Sequence, residues 1–204
     1  HDACTRQGAV HGTMLGAVLS RRFAGTFNWP GSRKLKDIVK LPLLERESTS
    51  DVERIWKEFH AQKDDVVADI LSGTVFEKLK GNARRFPWFV IPVKKKQGYQ
   101  SMVINWQDQY CLATNLEEYQ LKGTGARPVL TVTCFDDLVA RKGIVLVRGE
   151  IVAGPFSKEE AQALLRDLLE CYLVDSKLTF VRTFNERPRE FEFPKLLRAL
   201  GHTT

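Results

Sequence analysis

The sequence predicts an α+β domain, a mostly antiparallel sheet of about six strands flanked by helices, with an N-terminal helical segment. Three observations predict it. Apolar residues recur at helical spacing before Phe86 and again after Ser157. Between them lies a series of short apolar runs rich in β-branched residues. The connections inside that middle region are too short for the crossovers that parallel strands need, so neighbouring strands should run antiparallel.

The elements follow in order. Residues 51–61 read as a helix, with Ser50 and Glu53 spaced as a capping box that would satisfy two orphan amides. Val52, Ile55, Trp56 and Phe59 then form one apolar stripe, with His60 beside it as a surface residue. Two shorter helices are expected at 64–71 (Val66, Val67, Ile70, Leu71) and 74–83 (Val75, Phe76, Leu79), separated by Gly73. Residues 86–93 read as a strand. Pro87 and Pro92 lack the amide that a central strand must donate, which assigns it to an edge. Lys94 to Gly98 supplies a turn, and strands are expected at 99–106 and 109–114, broken around Gln107-Asp108. A short helix at 115–122 precedes strands at 128–135 and 143–152. Ser157 with Glu160 caps the longest helix, 158–172, where Leu164, Leu165, Leu168, Leu169 and Tyr172 share a face. Burying those five side chains would contribute on the order of 8–15 kcal/mol before chain entropy is charged. A last strand is expected at 178–184. A terminal helix should follow, bracketed by Pro194 and Gly201.

Charge argues against one function class. The net charge is +6, but residues 1–36 hold +5 of it, as six basic side chains against Asp2. The rest of the chain is nearly balanced and cannot build the concentrated basic face that phosphate binding requires. The leader, residues 1–34, is basic, nearly free of acid and rich in small residues, the composition of a mitochondrial presequence. Its stretch from Met14 to Phe23 could form an apolar and basic helix. Residues 35–204 are expected to fold as one domain. No apolar run approaches the roughly 20 residues of a membrane-spanning helix.

Catalytic chemistry finds little support. The histidines are His1, His11, His60 and His202, and none stands near a Ser or Cys in a recognisable nucleophile pattern. The segment Lys122 to Arg127 lacks phosphate-loop spacing. Cys4, Cys111, Cys134 and Cys171 form no C-x-x-C pair, and most sit in apolar stretches, so buried free thiols are expected rather than a metal site or a disulfide framework. Trp88, Trp106, Phe86 and Phe89 could stack on bases, although aromatics on strands more often form core. A single-stranded nucleic-acid or other protein-binding module of the mitochondrion is therefore the alternative reading.

Pattern goes further than chemistry. The strand Lys142-Gly143-Ile144-Val145-Leu146-Val147-Arg148-Gly149-Glu150 resembles the most recognisable strand of the mitochondrial ATP synthase assembly factor 1 family. Further similar blocks lie in order: Leu35 to Leu41, Ile55 to His60, Thr114 to Gln120, Ala126-Arg127-Pro128, Glu160-Ala161-Gln162, and Thr183 to Phe191. The resemblance spans residues 35–200. It implies a chaperone of the mitochondrial matrix without catalytic turnover, cofactor or metal. Such a protein would hold the unassembled beta subunit of the ATP synthase catalytic sector until the alpha subunit displaces it. No nucleic-acid partner and no membrane insertion are implied, and a monomer is expected.

Four residues are expected at the client-binding surface. Trp88 and Phe89 lie on the proline-containing edge strand, where an exposed edge offers both backbone groups and an apolar face. Arg148 and Arg187 lie in the similar blocks and could meet the client or order the polar end of the fold. The strand carrying Arg148 has apolar residues on both faces, so it should be interior.

Overall fold

The computed structural model describes residues 33–152 and 154–202. The expected leader therefore lies outside the described residues, apart from Arg33 and Lys34. After a turn of 3-10 helix at Leu35–Asp37 the helices are α1 (Leu41–Leu44), α2 (Thr49–Ala61), α3 (Gly73–Arg85), α4 (Leu116–Lys122), α5 (Val139–Lys142), α6 (Lys158–Leu173), α7 (Asp175–Glu186) and α8 (Phe193–Ala199). The strands are β1 (Val66–Ser72), β2 (Trp88–Lys94), β3 (Tyr99–Gln107), β4 (Tyr110–Asn115), β5 (Leu130–Phe135) and β6 (Ile144–Ile151). They form one six-stranded sheet in the order β1-β6-β5-β4-β3-β2. Every pairing is antiparallel.

From β2 to β6 the strands follow one another as a meander, with tight turns between β2, β3 and β4 and the short helices α4 and α5 set into the next two connections. The turn between β3 and β4 places Asp108 at φ 58°, a conformation that Asp tolerates better than most residues. β1 closes the far side of the sheet against β6, and α3 carries the chain across to β2 at the opposite edge. One face is covered by α3, α6 and α7, which bury a core running from Val67 and Val147 through Trp106 to Phe89 and Phe184. Tyr172 of α6 donates its hydroxyl to the Phe86 carbonyl (2.8 Å), and Asn82 of α3 donates to the Tyr172 carbonyl (2.7 Å). These bonds fix the order of the helical layer.

A second, smaller core lies on the other face. There α2 lays Val52 and Trp56 against Phe135, Ile144 and Leu146, with Leu35 and Leu44 closing its end. Trp56 donates its indole N–H to the Val147 carbonyl at 3.2 Å, satisfying the polar end of a buried aromatic. Lys158, opening α6, donates to the Ala61 carbonyl at the end of α2 (2.7 Å), a cation on a helix C-terminus.

Two elements differ in type from the sequence expectation. Residues 66–72 form a strand, not a helix. Both faces of β1 are covered, so Val67 and Leu71 pack towards α6 while Ala68 and Ile70 pack towards α2. An apolar run buried on two sides loses the alternation that marks a strand. Conversely, residues 178–184 lie in helix α7. Leu178, Val181 and Phe184 recur every three residues and are buried, and this stripe overrides the low helix propensity of the β-branched Thr179, Val181 and Thr183. Six strands result, with β1 in place of the expected last one.

Two local readings are also corrected. The cap of α2 is Ser48, whose hydroxyl accepts the Asp51 N–H at 3.1 Å, and not Ser50 with Glu53. His60 is buried, at 2% exposure, rather than on the surface. The capping box at Ser157 and Glu160 is present as expected.

Candidate protein-interaction surfaces

Backbone alternation decides what each sheet edge offers. At β2 the Trp106 N–H donates to the Pro87 carbonyl (2.8 Å), so odd-numbered residues of this strand face β3. Trp88, Val90 and Pro92 turn their backbone groups outward. Pro92 has no N–H to offer there, and the Trp88 carbonyl already accepts from the Asn185 side chain at 2.6 Å. Pro92 thus sits where a missing donor does no harm, and Pro87, on the β3 side, stands just before the strand begins and offers only its carbonyl.

The four expected contact residues take different places. Trp88 is half-buried, with its ring 6.0 Å from that of Tyr119. Phe89 points to the opposite face and is fully buried. It makes edge-to-face contacts with Phe184 (5.6 Å), Phe191 (6.0 Å) and Tyr172 (6.5 Å). Arg148 lies on β6, second from the sheet edge, with Ala68 and Thr133 as cross-strand neighbours. Its side chain is 7% exposed, and Nη1 lies 2.5 Å from Glu150 Oε1 without hydrogen-bond alignment. Nε finds no acceptor among the described residues. Arg187 follows α7 and is exposed, paired with Glu190 at 2.9 Å. The fold does not gather the four into one patch. Trp88 and Arg187 have surface to present, while Phe89 and Arg148 act beneath it.

His60 adjoins Arg148. Its Nδ1 donates to the Trp56 carbonyl (2.8 Å), and its ring lies 4.1 Å from that of Trp56. Burial holds the imidazole's pKa below its ordinary value, and the nearby Arg148 charge acts in the same direction. A neutral ring is the consistent state beside a guanidinium.

Two apolar hollows lie away from β2, one beside β1 and one against α2, and sequence reasoning missed both. A groove of about 530 Å³ runs between β1 and α6, lined by Val67, Leu71, Leu165, Leu169, Leu173 and Val174. A cleft of about 360 Å³ lies between the first helical turns and α2, lined by Ile38, Val39, Leu43, Ile55 and Phe59. Leu43 and Phe59 are 54% and 41% exposed, large apolar side chains kept in water. Phe59 continues the stripe of Val52 and Trp56 by spacing but stays at the surface, with Lys63 Nζ 3.8 Å over its ring, while the next residue, His60, is buried. The period-2 reading of residues 66–72 would have revealed the groove, since only a strand there has an edge.

Among the described residues no group of three or more His, Cys, Asp or Glu side chains could hold a metal ion. Cys111, Cys134 and Cys171 are free and buried. No described helix is long and apolar enough to cross a membrane. The class is thereby defined: an α+β domain whose distinctive features are apolar hollows beside sheet edges.

The chain belongs to the ATP11 protein family, whose profile matches residues 20–197. Over 170 residues it is 27% identical to "ATP synthase mitochondrial F1 complex assembly factor 1" of Homo sapiens, a match covering 82% of this chain and 52% of that protein. The protein of the same name from Danio rerio is 28% identical over 82% of this chain and 56% of its own length. "Protein atp11, mitochondrial" of Schizosaccharomyces pombe is 29% identical over 70% of this chain and 50% of its own. The chain spans about half the length of the curated relatives it matches.

Proposed function

We propose that this protein is an assembly chaperone of the mitochondrial ATP synthase. In this reading it binds the unassembled beta subunit of the catalytic sector in the matrix and releases it to the alpha subunit. The carrying observation is family membership, with relatives named as F1 complex assembly factors. Exposed apolar residues beside both α2 and β1 support it, because covering an apolar client surface needs a complementary one. The mechanism is mass action. Binding the free subunit lowers the concentration available to aggregate, and a partner with higher affinity for the same surface then takes it over. The role requires no cofactor and no turnover, and a monomer suffices for it.

Within this reading Trp88 and Arg187 contact the client. Phe89 anchors β2 from the core, and Arg148 orders the polar end of β6. The test is capture of separately purified beta and alpha subunits by the full chain. Selective capture of free beta, released on adding alpha, is expected. Trp88→Ala should weaken capture while the melting temperature stays nearly unchanged. Capture of alpha alone, or of neither subunit by folded chain, would overturn the assignment to beta.

A further inference from the structure

The two edges of the sheet are finished differently. At β2 an outward proline and the Asn185 side chain occupy the edge. At β1 the Ile151 N–H donates to the Asp65 carbonyl and the Gly73 N–H to the Gly143 carbonyl, each at 2.8 Å. Odd-numbered residues therefore face β6, and Val66, Ala68 and Ile70 turn their backbone groups outward. No proline interrupts residues 66–72. The Ile70 N–H is taken by Asp69 Oδ1 at 2.8 Å and Val66 is 1% exposed, so among the described residues the Ala68 N–H and carbonyl, with the Ile70 carbonyl, are the edge groups left for pairing.

Apolar surface flanks this edge on both sides. Ala68 and Ile70 are partly buried members of the α2 cluster, and Ala68 also borders the groove against α6. At the end of that groove Val174 is 43% exposed. We propose that the outer edge of β1 takes up an extended segment of the client as an added strand. The client's alternate apolar side chains would sit in the groove against Leu165, Leu169 and Leu173. This deepens the chaperone reading and rests on it.

The edge itself specifies the occupant. Outward amides and carbonyls pair with extended backbone, and a groove beside one face accepts every second side chain. Asp69, on the groove side, forms no ion pair among the described residues, so a basic residue opposite it completes the match. The same carboxylate disfavours a second copy of this chain. An antiparallel pairing of two β1 edges centred on Asp69 would set two carboxylates face to face.

The full chain and two variants test the proposal against free beta subunit. Ala68→Pro removes an outward N–H while leaving the bonds to β6, an arrangement β2 already tolerates at Pro92. Val174→Asp charges the end of the groove at a residue that is both the C-cap of α6 and the N-cap of α7, so its melting temperature is read alongside its affinity. Leu121→Asp, at an 85% exposed site on α4, is the control. At least a tenfold loss of affinity in both test variants, with melting temperatures within a few degrees and the control unchanged, is the expected result. Wild-type affinity in Val174→Asp, or in folded Ala68→Pro, would overturn the proposal while leaving the chaperone reading intact. Failure of the unmodified chain to hold any F1 subunit would instead remove the reading beneath it. A concentration-dependent dimer in gel filtration that Ala68→Pro abolishes would assign the edge to a second copy and overturn the client as its occupant.

Discussion

Gly149 lies on β6 directly opposite Val67 of β1. A Cβ at this position would stand 2.6 Å from Val67 Cγ2 and 3.4 Å from Leu130 Cδ1. Val67 is β-branched and almost fully buried, so it has no rotamer to retreat into. The glycine thus serves close approach between strands, where hydrogen at Cα is the only group that fits. Gly149→Ala should destabilise the fold by about 1–3 kcal/mol, the usual cost of overpacking. Urea unfolding would measure it, and Val67→Ala in the same chain should recover part of the loss. His60 shows the reverse lesson. By sequence it is an ordinary polar residue at the end of a stripe, yet the sheet and Arg148 close over it and favour the neutral ring. Neither role is written in the residue itself, because each depends on what another strand brings opposite.

Local rules explain the elements well where a single face is buried. The α6 helix has one apolar stripe, a reciprocal cap at Ser157 and Glu160, and a sheet beneath it, and sequence placed it within a residue. The β2 strand was legible as an edge because two prolines excluded it from the interior. The helix α2 was legible too, but its start was not. Ser48 and Ser50 both precede acidic residues at plausible spacing, and only the extended backbone at Ser48 (φ −66°, ψ 159°) aims its hydroxyl at the Asp51 amide. Ser48→Ala should therefore cost about 1 kcal/mol, whereas Ser50→Ala should stay within about 0.5 kcal/mol in thermal or urea unfolding. The elements misread were those whose local pattern fitted either kind of structure. In β1 both faces are apolar, and in α7 β-branched residues fill the positions between the buried ones.

At the scale of the molecule, a sheet with helices on one face and α2 on part of the other leaves the thiols of Cys111, Cys134 and Cys171 deep in the interior. Burial pushes the Cys134 and Cys171 thiols up to about 12 and raises Cys111 well above its ordinary value. At neutral pH these groups are protonated and shielded. Iodoacetamide should spare all three in the native chain and label all three in denaturant, as read by peptide mass mapping, which separates them from Cys4. Native labelling of Cys171 would mean that α6 leaves the sheet under native conditions. The α+β class, the antiparallel meander, the proline edge and the family resemblance were determined by the sequence itself, because periodicity, turn residues and ordered blocks are properties of neighbouring positions. The exposed Phe59 and Leu43, the burial of Phe89 and Arg148, and the second edge at β1 were decided by the tertiary structure. Each depends on which surface a distant element covers, and that is settled only when the sheet closes and the helices choose their faces.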